Sequence, residues 1–446
     1  MEERDIIAAI STARGSGAVS MIRLSGKGSG RFSQSFLKNV KENKQNETVD
    51  LPHAKMVSCL FCGKINDHIM AVRYDSGKSY TGEESVELYF HGGKKLTELA
   101  LLSFIEGGAR IAEKGEFTRR AFLNGRIDLT QAEGIVDLID AESENAVKAA
   151  FLQSEGRTRK IIEELYGNCV TLLARVEVSI DYPEEDVEEV TRTEAEKGID
   201  ELRQKIAREK DGYNASRIVR EGARVVLCGK VNAGKSTLFN TLLGAERAIV
   251  SNEAGTTRDT IEEKISLRDI AVVLVDTAGE RKTDSDAERK GIDRSKREVQ
   301  SADLTLLVVR EGEKKAEEVL AENGGAKDKQ LRVVNCFGKV NKQSTEDCIY
   351  LNAQSGEGVE KLTEVIYAKC KDWEKGGSAI TNARQYDALV SADKALARAQ
   401  VALKNETVDC VCADLSDALR ALGRILGKEP TEDLIGEIFS RFCVGK

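Results

Sequence analysis

The chain has 446 residues, room for roughly two to four domains with full cores. Hydrophobic residues make up 41% and charged residues 32%, and no apolar run is long enough to span a bilayer. The net charge of −8 excludes a global basic field for nucleic acid, so any RNA contact needs a local basic patch or a partner that supplies one.

Residues 1–117 read as mixed α/β. Ile6–Ile10 and Val19–Leu24 are short apolar runs separated by the Gly-rich turn Arg14–Gly17, and Ser85–Phe90 alternates at period two, a strand signal ending in His91-Gly92-Gly93. His91 fits a site residue or a structural turn equally well. Over 130–215 the pattern turns helical, with Ala132, Ile135, Val136 and Ile139 on one face and a break at Asp181-Tyr-Pro183. Residues 222–370 alternate strand-like and helical runs, the mark of a doubly wound parallel sheet. After Lys375-Gly-Gly377 the chain is helical again, with Leu389, Ala392, Leu396, Ala399 and Leu403 stepping by three and four, then Leu415, Leu419, Leu422 and Leu426. Two helical stretches around an α/β unit predict an insertion, the flanking helices closing into one bundle. Ten scattered Cys suit a reducing, cytoplasmic setting. Cys59-Leu-Phe-Cys62 has metal-like spacing but no second pair, so packing is the better reading.

Gly229-Lys-Val-Asn-Ala-Gly-Lys-Ser236 fits G-x-x-x-x-G-K-[ST]. An apolar run, Ala223–Cys228, precedes it and a helical run, Thr237–Leu243, follows, the context that separates a phosphate loop from a chance Gly-rich turn. Backbone N–H groups of the loop, from Asn232 through Ala233, Gly234 and Lys235 to Thr237, would wrap the phosphates, and the helix N-terminus adds its positive dipole end. Lys235 would reach the β/γ-phosphates and Ser236 a Mg²⁺ ion. Downstream, Ser251-Asn-Glu-Ala-Gly-Thr-Thr-Arg-Asp259 offers Thr256 or Thr257 to complete the Mg²⁺ shell and sense the γ-phosphate. Val272–Gly279 predicts a strand ending in Asp276, which would contact the Mg²⁺ shell, followed by Thr277, Ala278 and Gly279, whose N–H would face the γ-phosphate. The order of the three elements points to a P-loop GTPase.

One GTPase element is altered. Guanine is usually read by Asn-Lys-x-Asp after a later strand. That strand is expected at Leu331–Phe337, with Gly338-Lys-Val-Asn341 in the motif's place. Lys339 remains to cover the base, while Asn341 accepts one hydrogen bond but brings its own donors. Asn335 lies nearby, yet Cys336 and Gly338 beside it do not match the motif. Asn352-Ala353-Gln354 stands for the following Ser-Ala-Lys turn. Loss of a charge-assisted contact costs roughly 1.5–3 kcal/mol per bond, so weakened guanine preference is expected.

Beyond these elements, Ser79-Tyr-Thr-Gly-Glu83, His91-Gly-Gly93, Glu116–Gly125, Asp128–Glu133, Ile180–Glu185 and the terminal Phe442-Cys-Val-Gly-Lys446 resemble signature segments of the MnmE (TrmE) family of tRNA-modification GTPases. The resemblance spans essentially the whole chain. It implies a multidomain α/β protein: an N-terminal α+β folate-binding and dimerising domain (1–117), a helical domain in two segments (118–216 and 377–446), and an inserted P-loop GTPase domain (217–376). It implies GTP hydrolysis activated by K⁺ when two GTPase domains meet, in a homodimer. It further implies an FAD-containing MnmG-type partner, with which tRNA acquires an aminomethyl-type group at C5 of the wobble uridine, using carbon from a reduced folate (5,10-methylene-tetrahydrofolate or its 5-formyl analogue). By the same resemblance Asn232, Ser251, Glu253 (through its carbonyl) and Thr256 are K⁺ ligands, and Ser236 and Thr257 are Mg²⁺ ligands. Glu288 orients the attacking water. Arg23, Glu83, Arg126 (where Lys is more usual) and Lys446 contact folate, with Cys443 near the folate and uridine site. Two competing readings remain. A degraded member would act as a nucleotide-binding scaffold, which the changes at Gly338 and Asn341 favour and Lys235, Asp276 and Glu288 oppose. An assembly GTPase for ribosomal RNA is opposed by the acidic balance and the folate-domain signatures.

Overall fold

The computed structural model describes all residues except 1–4, 14, 41–47, 182–186, 246–260, 277–295, 314–328, 406–407 and 429. In chain order its elements are β1 (Ile7–Ile10), β2 (Val19–Ser25), α1 (Ser29–Gln34), β3 (Leu37–Asn39), β4 (Val57–Cys62), β5 (Asn66–Tyr74), β6 (Ser85–His91), α2 (Lys94–Glu106) and β7 (Arg110–Ile111). There follow α3 (Glu116–Leu123), α4 (Leu129–Asp140), α5 (Glu144–Ser154), α6 (Arg157–Asp181), α7 (Val187–Glu221), β8 (Ala223–Cys228), α8 (Lys235–Ala245), β9 (Ile261–Leu267) and β10 (Ile270–Asp276). The chain continues through β11 (Leu304–Arg310), β12 (Gln330–Asn335), β13 (Cys348–Leu351), α9 (Val359–Trp373), α10 (Ala383–Asn405), α11 (Val408–Leu426) and α12 (Glu432–Ser440). It divides into two compact units, Met1–Val136 with Gly423–Lys446, and Asp137–Leu422. The chain is thus a multidomain α/β protein.

The first unit is built on a seven-stranded sheet of order β3-β4-β5-β6-β2-β1-β7, antiparallel throughout except for the β1–β7 pair. The period-two alternation of β6 turns Val86, Leu88 and Phe90 into the core beside Ile22, Leu24, Phe61 and Phe104. Cys59 is buried in that core, and Cys62 ends the same strand. Helix α12 is capped by Thr431, whose hydroxyl accepts from the Leu434 N–H. Its Ile435 and Phe439, with Phe442 beyond, pack on Ala132, Val136 and Phe122. The last residues are bound to the sheet. Val444 bridges Lys114, Ser11 Oγ donates to the Gly445 carbonyl at 2.7 Å, and the Gly115 N–H donates to the Cys443 carbonyl at 3.4 Å.

The second unit holds a six-stranded sheet of order β13-β12-β11-β8-β10-β9. All pairs are parallel except β9–β10, a hairpin at the edge. Strands β8 and β11 are buried on both faces, which explains their unbroken apolar runs. The helical stretches flanking the sheet pack on each other. Arg203 and Lys210 of α7 pair with Asp393 of α10 at 3.0 and 2.7 Å, and Cys169 Sγ of α6 donates to the Leu415 carbonyl of α11 at 3.7 Å. At the end of α7, Arg217 pairs with buried Asp303, whose second oxygen accepts the Arg224 N–H at 2.9 Å and so joins the helix to the start of β8.

Candidate functional site

The loop from Gly229 to Ser236 joins β8 to α8, and three of its residues have left-handed backbones: Gly229 (φ 151°), Asn232 (φ 64°) and Gly234 (φ 95°). Two of these must be glycine for space as well. A Cβ on Gly229 would stand 2.1 Å from the Val308 carbonyl oxygen, and one on Gly234 2.1 Å from Asn335 Nδ2. Asn at 232 is among the few other residues that accept this conformation. Lys235 is buried and its ammonium donates to the Gly229 and Lys230 carbonyls, each at 2.9 Å. Burial pulls its pKa below the ordinary lysine value, and nearby Asp276 opposes the shift. Ser236 Oγ donates to Asp276 Oδ2 at 2.8 Å, so the hydroxyl at the start of α8 meets the carboxylate at the end of the neighbouring parallel strand β10. Two hard oxygens so placed suit Mg²⁺. Thr237 follows, exposed, on the first turn of the helix.

The base-reading region departs from the sequence expectation. The ladder between β12 and β13 ends at the Asn335–Leu351 pair, two residues before Phe337. Asn335 is buried, and its carboxamide joins two loops. Nδ2 donates to the Ala233 carbonyl at 3.0 Å, and Oδ1 accepts the Ala353 N–H at 3.0 Å. The residue set aside in the sequence is therefore the one that ties the phosphate loop to the loop after β13. Ala353 is buried beneath this bond. Asn352 Nδ2 donates to the Gly338 carbonyl at 3.0 Å, and its Oδ1 accepts from the Gln354 and Ser355 N–H groups at 2.9 and 3.1 Å. Lys339 and Asn341 are exposed on the segment beyond, on either side of Val340, which packs on Val334 and Cys336. A search for polar residues ending the apolar run, rather than for the Lys of the motif, would have found Asn335.

Ser251, Glu253, Thr256, Thr257, Thr277, Ala278, Gly279 and Glu288 lie outside the described residues. Among the described residues, no group of three or more His, Cys, Asp or Glu side chains is arranged to hold a metal ion, and Cys59 and Cys62 belong to none.

In the first unit, three of the four expected folate contacts lie around the loop before β6: Glu83 on the loop itself, Arg23 on β2 beside Tyr80, and Arg126 just beyond α3. Arg23 donates to Glu87 Oε1 through Nε at 3.1 Å and Nη2 at 2.9 Å, with its guanidinium 5.3 Å from the Tyr80 ring centre and 5.7 Å from that of Phe117. Arg126 is exposed and donates to the Gly77 carbonyl at 3.2 Å, and a Cβ on Gly82 would lie 3.1 Å from its Cγ. Glu83 differs from expectation. It is 7% exposed, and its Oε2 accepts from Arg120 Nη1 and Ser25 Oγ, each at 3.0 Å. Its carboxylate is engaged inside the fold rather than presented as an open edge. Arg120 also bonds Glu116 at 3.0 Å and Asp5 at 2.8 Å, and Arg110 bridges the same two acids at 2.6 and 2.5 Å. Cys443 is exposed and Lys446 half-buried, next to Gly445, which packs against Ile10. His91 is largely exposed, with Nδ1 2.6 Å from Asp67 Oδ1 and its N–H donating to Oδ2 at 3.0 Å, a bond that ends β6.

A family model described as the N-terminus of the GTP-binding protein TrmE matches residues 6–126, and one for the MnmE helical domain matches residues 129–443. The chain is 40% identical over 466 aligned residues to the tRNA modification GTPase MnmE of Carboxydothermus hydrogenoformans, covering 99% of each chain. It is 38% identical over 454 residues to the protein of that name from Aquifex aeolicus, covering 99% of this chain and 100% of that one. The Clostridioides difficile protein of that name is 38% identical over 462 residues, with 99% of each covered.

Proposed function

The chain belongs to the MnmE family of tRNA modification GTPases, and we propose that it hydrolyses GTP at its phosphate loop to drive modification of C5 of the wobble uridine, working with an MnmG-type FAD protein on tRNA. The observation that carries the hydrolytic part is the convergence of Lys235, Ser236 and Asp276 at the ends of β8 and β10. Phosphate oxygens would exchange for the carbonyls that now accept from Lys235, and their negative charge would favour the ammonium against the cost of its burial. Ser236 directly, and Asp276 by its contact with that hydroxyl, would hold Mg²⁺ together with Thr257. Asn232, on its left-handed backbone at the loop's rim, would join Ser251, Glu253 and Thr256 around K⁺, which supplies positive charge to the phosphates. Glu288 would orient the attacking water, with Thr277, Ala278 and Gly279 at the γ-phosphate.

In the first unit, exposed Arg126 and the terminal Lys446 suit the negative groups of a reduced folate, and Tyr80 beside Arg23 suits its flat ring. Glu83 would serve by holding Arg120 in place. Cys443, exposed on the bound tail, would lie beside that site. The domain plan that accompanies this reading is an N-terminal folate-binding and dimerising domain, a helical domain in two segments and an inserted GTPase domain. No described helix is long and apolar enough to cross a membrane; a cytoplasmic setting belongs to the same reading, because the proposed work is on tRNA.

The test is GTP turnover by the full chain in K⁺ and in Na⁺ at matched ionic strength, with Ser236→Ala in parallel and modified nucleoside counted in cells carrying each protein. Faster turnover in K⁺, loss with Ser236→Ala and loss of the nucleoside are the expected results. Equal rates in both salts remove the K⁺ role, and turnover that survives Ser236→Ala removes the site.

A further inference from the structure

We propose that the base site of this chain lacks its guanine-reading group because Gly338 occupies the place of the motif's aspartate, so that the protein accepts purine nucleotides with little discrimination at the base edge. The proposal rests on the nucleotide-hydrolysing reading and concerns the same site. The frame is set by Asn335. It stands at the last ladder position of β12, with its carboxamide bonded to the phosphate loop at Ala233 and to the loop after β13 at Ala353. Counted from it, the four-residue motif is Asn335-Cys-Phe-Gly338, not the segment three residues later. The lysine position is filled by Cys336, buried among Leu307, Val309 and Val334, where no cation is offered to a base. The aspartate position is Gly338, held by Asn352 Nδ2 on its carbonyl oxygen beside Ala353.

Guanine presents two donors, N1–H and the exocyclic amine, on the edge that a carboxylate reads. Gly338 has no side chain to accept them. Adenine, which presents an unprotonated N1 there, meets no carboxylate to repel it, so both attraction and rejection are missing. Asn341 does not restore either, because it lies three residues beyond, across the inward-packed Val340. The position is nevertheless open. A Cβ at Gly338 has no heavy atom within 4 Å, and the residue is not among those with positive φ. An aspartate fits there without strain.

The experiment titrates full-length protein, Gly338→Asp and Asn341→Asp with fluorescent GDP, then competes it with unlabelled GDP, IDP and ADP. IDP lacks only the exocyclic amine. The wild type is expected to separate GDP from IDP by less than about threefold and from ADP by less than about tenfold. Gly338→Asp is expected to gain at least about tenfold for GDP over IDP, the decade that roughly 1.4 kcal/mol supplies. Asn341→Asp is expected to shift the ratio by less than about twofold. A wild type that prefers GDP to IDP and ADP by about a hundredfold or more overturns the proposal, as does selectivity gained by Asn341→Asp and not by Gly338→Asp. If no protein binds any nucleotide, the phosphate-loop reading fails first and this one with it.

Discussion

Replacing Asn335 by alanine should loosen two loops at once. Its carboxamide is buried and makes one bond to each, both 3.0 Å long. Truncation leaves the Ala233 carbonyl and the Ala353 N–H without that partner, and each buried group left unsatisfied costs about 1–3 kcal/mol. The local opening of the loop after β13 should become easier by the same amount, so exchange of the Ala353 amide hydrogen should quicken by roughly 5- to 150-fold. Hydrogen exchange followed by mass spectrometry on peptides containing Ala353 reads this directly, without assuming that so large a chain unfolds in one step. GDP affinity should fall in parallel, because the phosphate loop loses its tie. Asn335→Asp is a sharper case. It keeps the acceptor for the Ala353 N–H but sets a carboxylate against the Ala233 carbonyl, so Ala353 should stay protected while GDP affinity still drops. The same contact explains Gly234, whose added Cβ would meet Asn335 Nδ2 at 2.1 Å. Unchanged exchange at Ala353 and GDP affinity within twofold of wild type in Asn335→Ala would refute the tie.

The Asp5–Arg110–Glu116–Arg120 cluster should govern acid stability of the first unit. Hydrogen bonding from Arg110 holds Asp5 below the ordinary carboxylate range, and for Glu116 burial pushes upward but the bonds from Arg110, the Glu113 N–H and Arg120 outweigh it. Depressed values stabilise fully above the unfolded pKa and lose that contribution as pH falls through the folded one. Melting temperature should therefore hold from neutrality to about pH 4.5 and fall below it, and Arg110→Gln should flatten the acid limb. An acid limb identical in the variant would exclude the cluster as its cause. Gly445→Ala places a Cβ 2.3 Å from the Ile10 carbonyl oxygen at a φ of 103°. It should cost about 1–3 kcal/mol and free the tail to carboxypeptidase, and digestion at the wild-type rate would contradict this. Asp303→Asn weakens the link from Arg217 of α7 to the Arg224 N–H of β8 and should lower stability of the second unit by about 1–3 kcal/mol. An unchanged urea midpoint would show the link to be dispensable.

Much of the fold is legible because its periodicities are set by burial. The alternation in β6, the unbroken apolar run of β8 and the steps from Leu389 to Leu403 in α10 each answer to a surface that must be covered. The phosphate loop is legible for a different reason, since its glycines are imposed by close approach and left-handed backbone. The end of β12 was expected two residues late, at Phe337, because apolarity does not stop where the ladder stops. Cys336 extends the run of β12, yet it packs in the cluster beneath the loop and the strand has already ended at Asn335.

Glu83 shows a related effect of reading a residue outside its fold. Glu83 and Arg120 come from separate signature segments, and the resemblance gives Glu83 alone as a ligand contact. In the fold they bond each other at 3.0 Å, with Ser25 on the same carboxylate oxygen. An ion pair at this depth costs desolvation that only its mutual bonds offset, so removing either partner leaves a buried charge that the fold must disperse. Loss of folate binding in Glu83→Ala would therefore say nothing about direct contact. Arg126→Ala is the more telling change, because Arg126 is exposed and bonds only a loop carbonyl at 3.2 Å among its described contacts. Folate affinity that falls in Arg126→Ala while the melting temperature stays put would assign the cation to the ligand. Folate affinity that is unmoved would leave the signature as architecture.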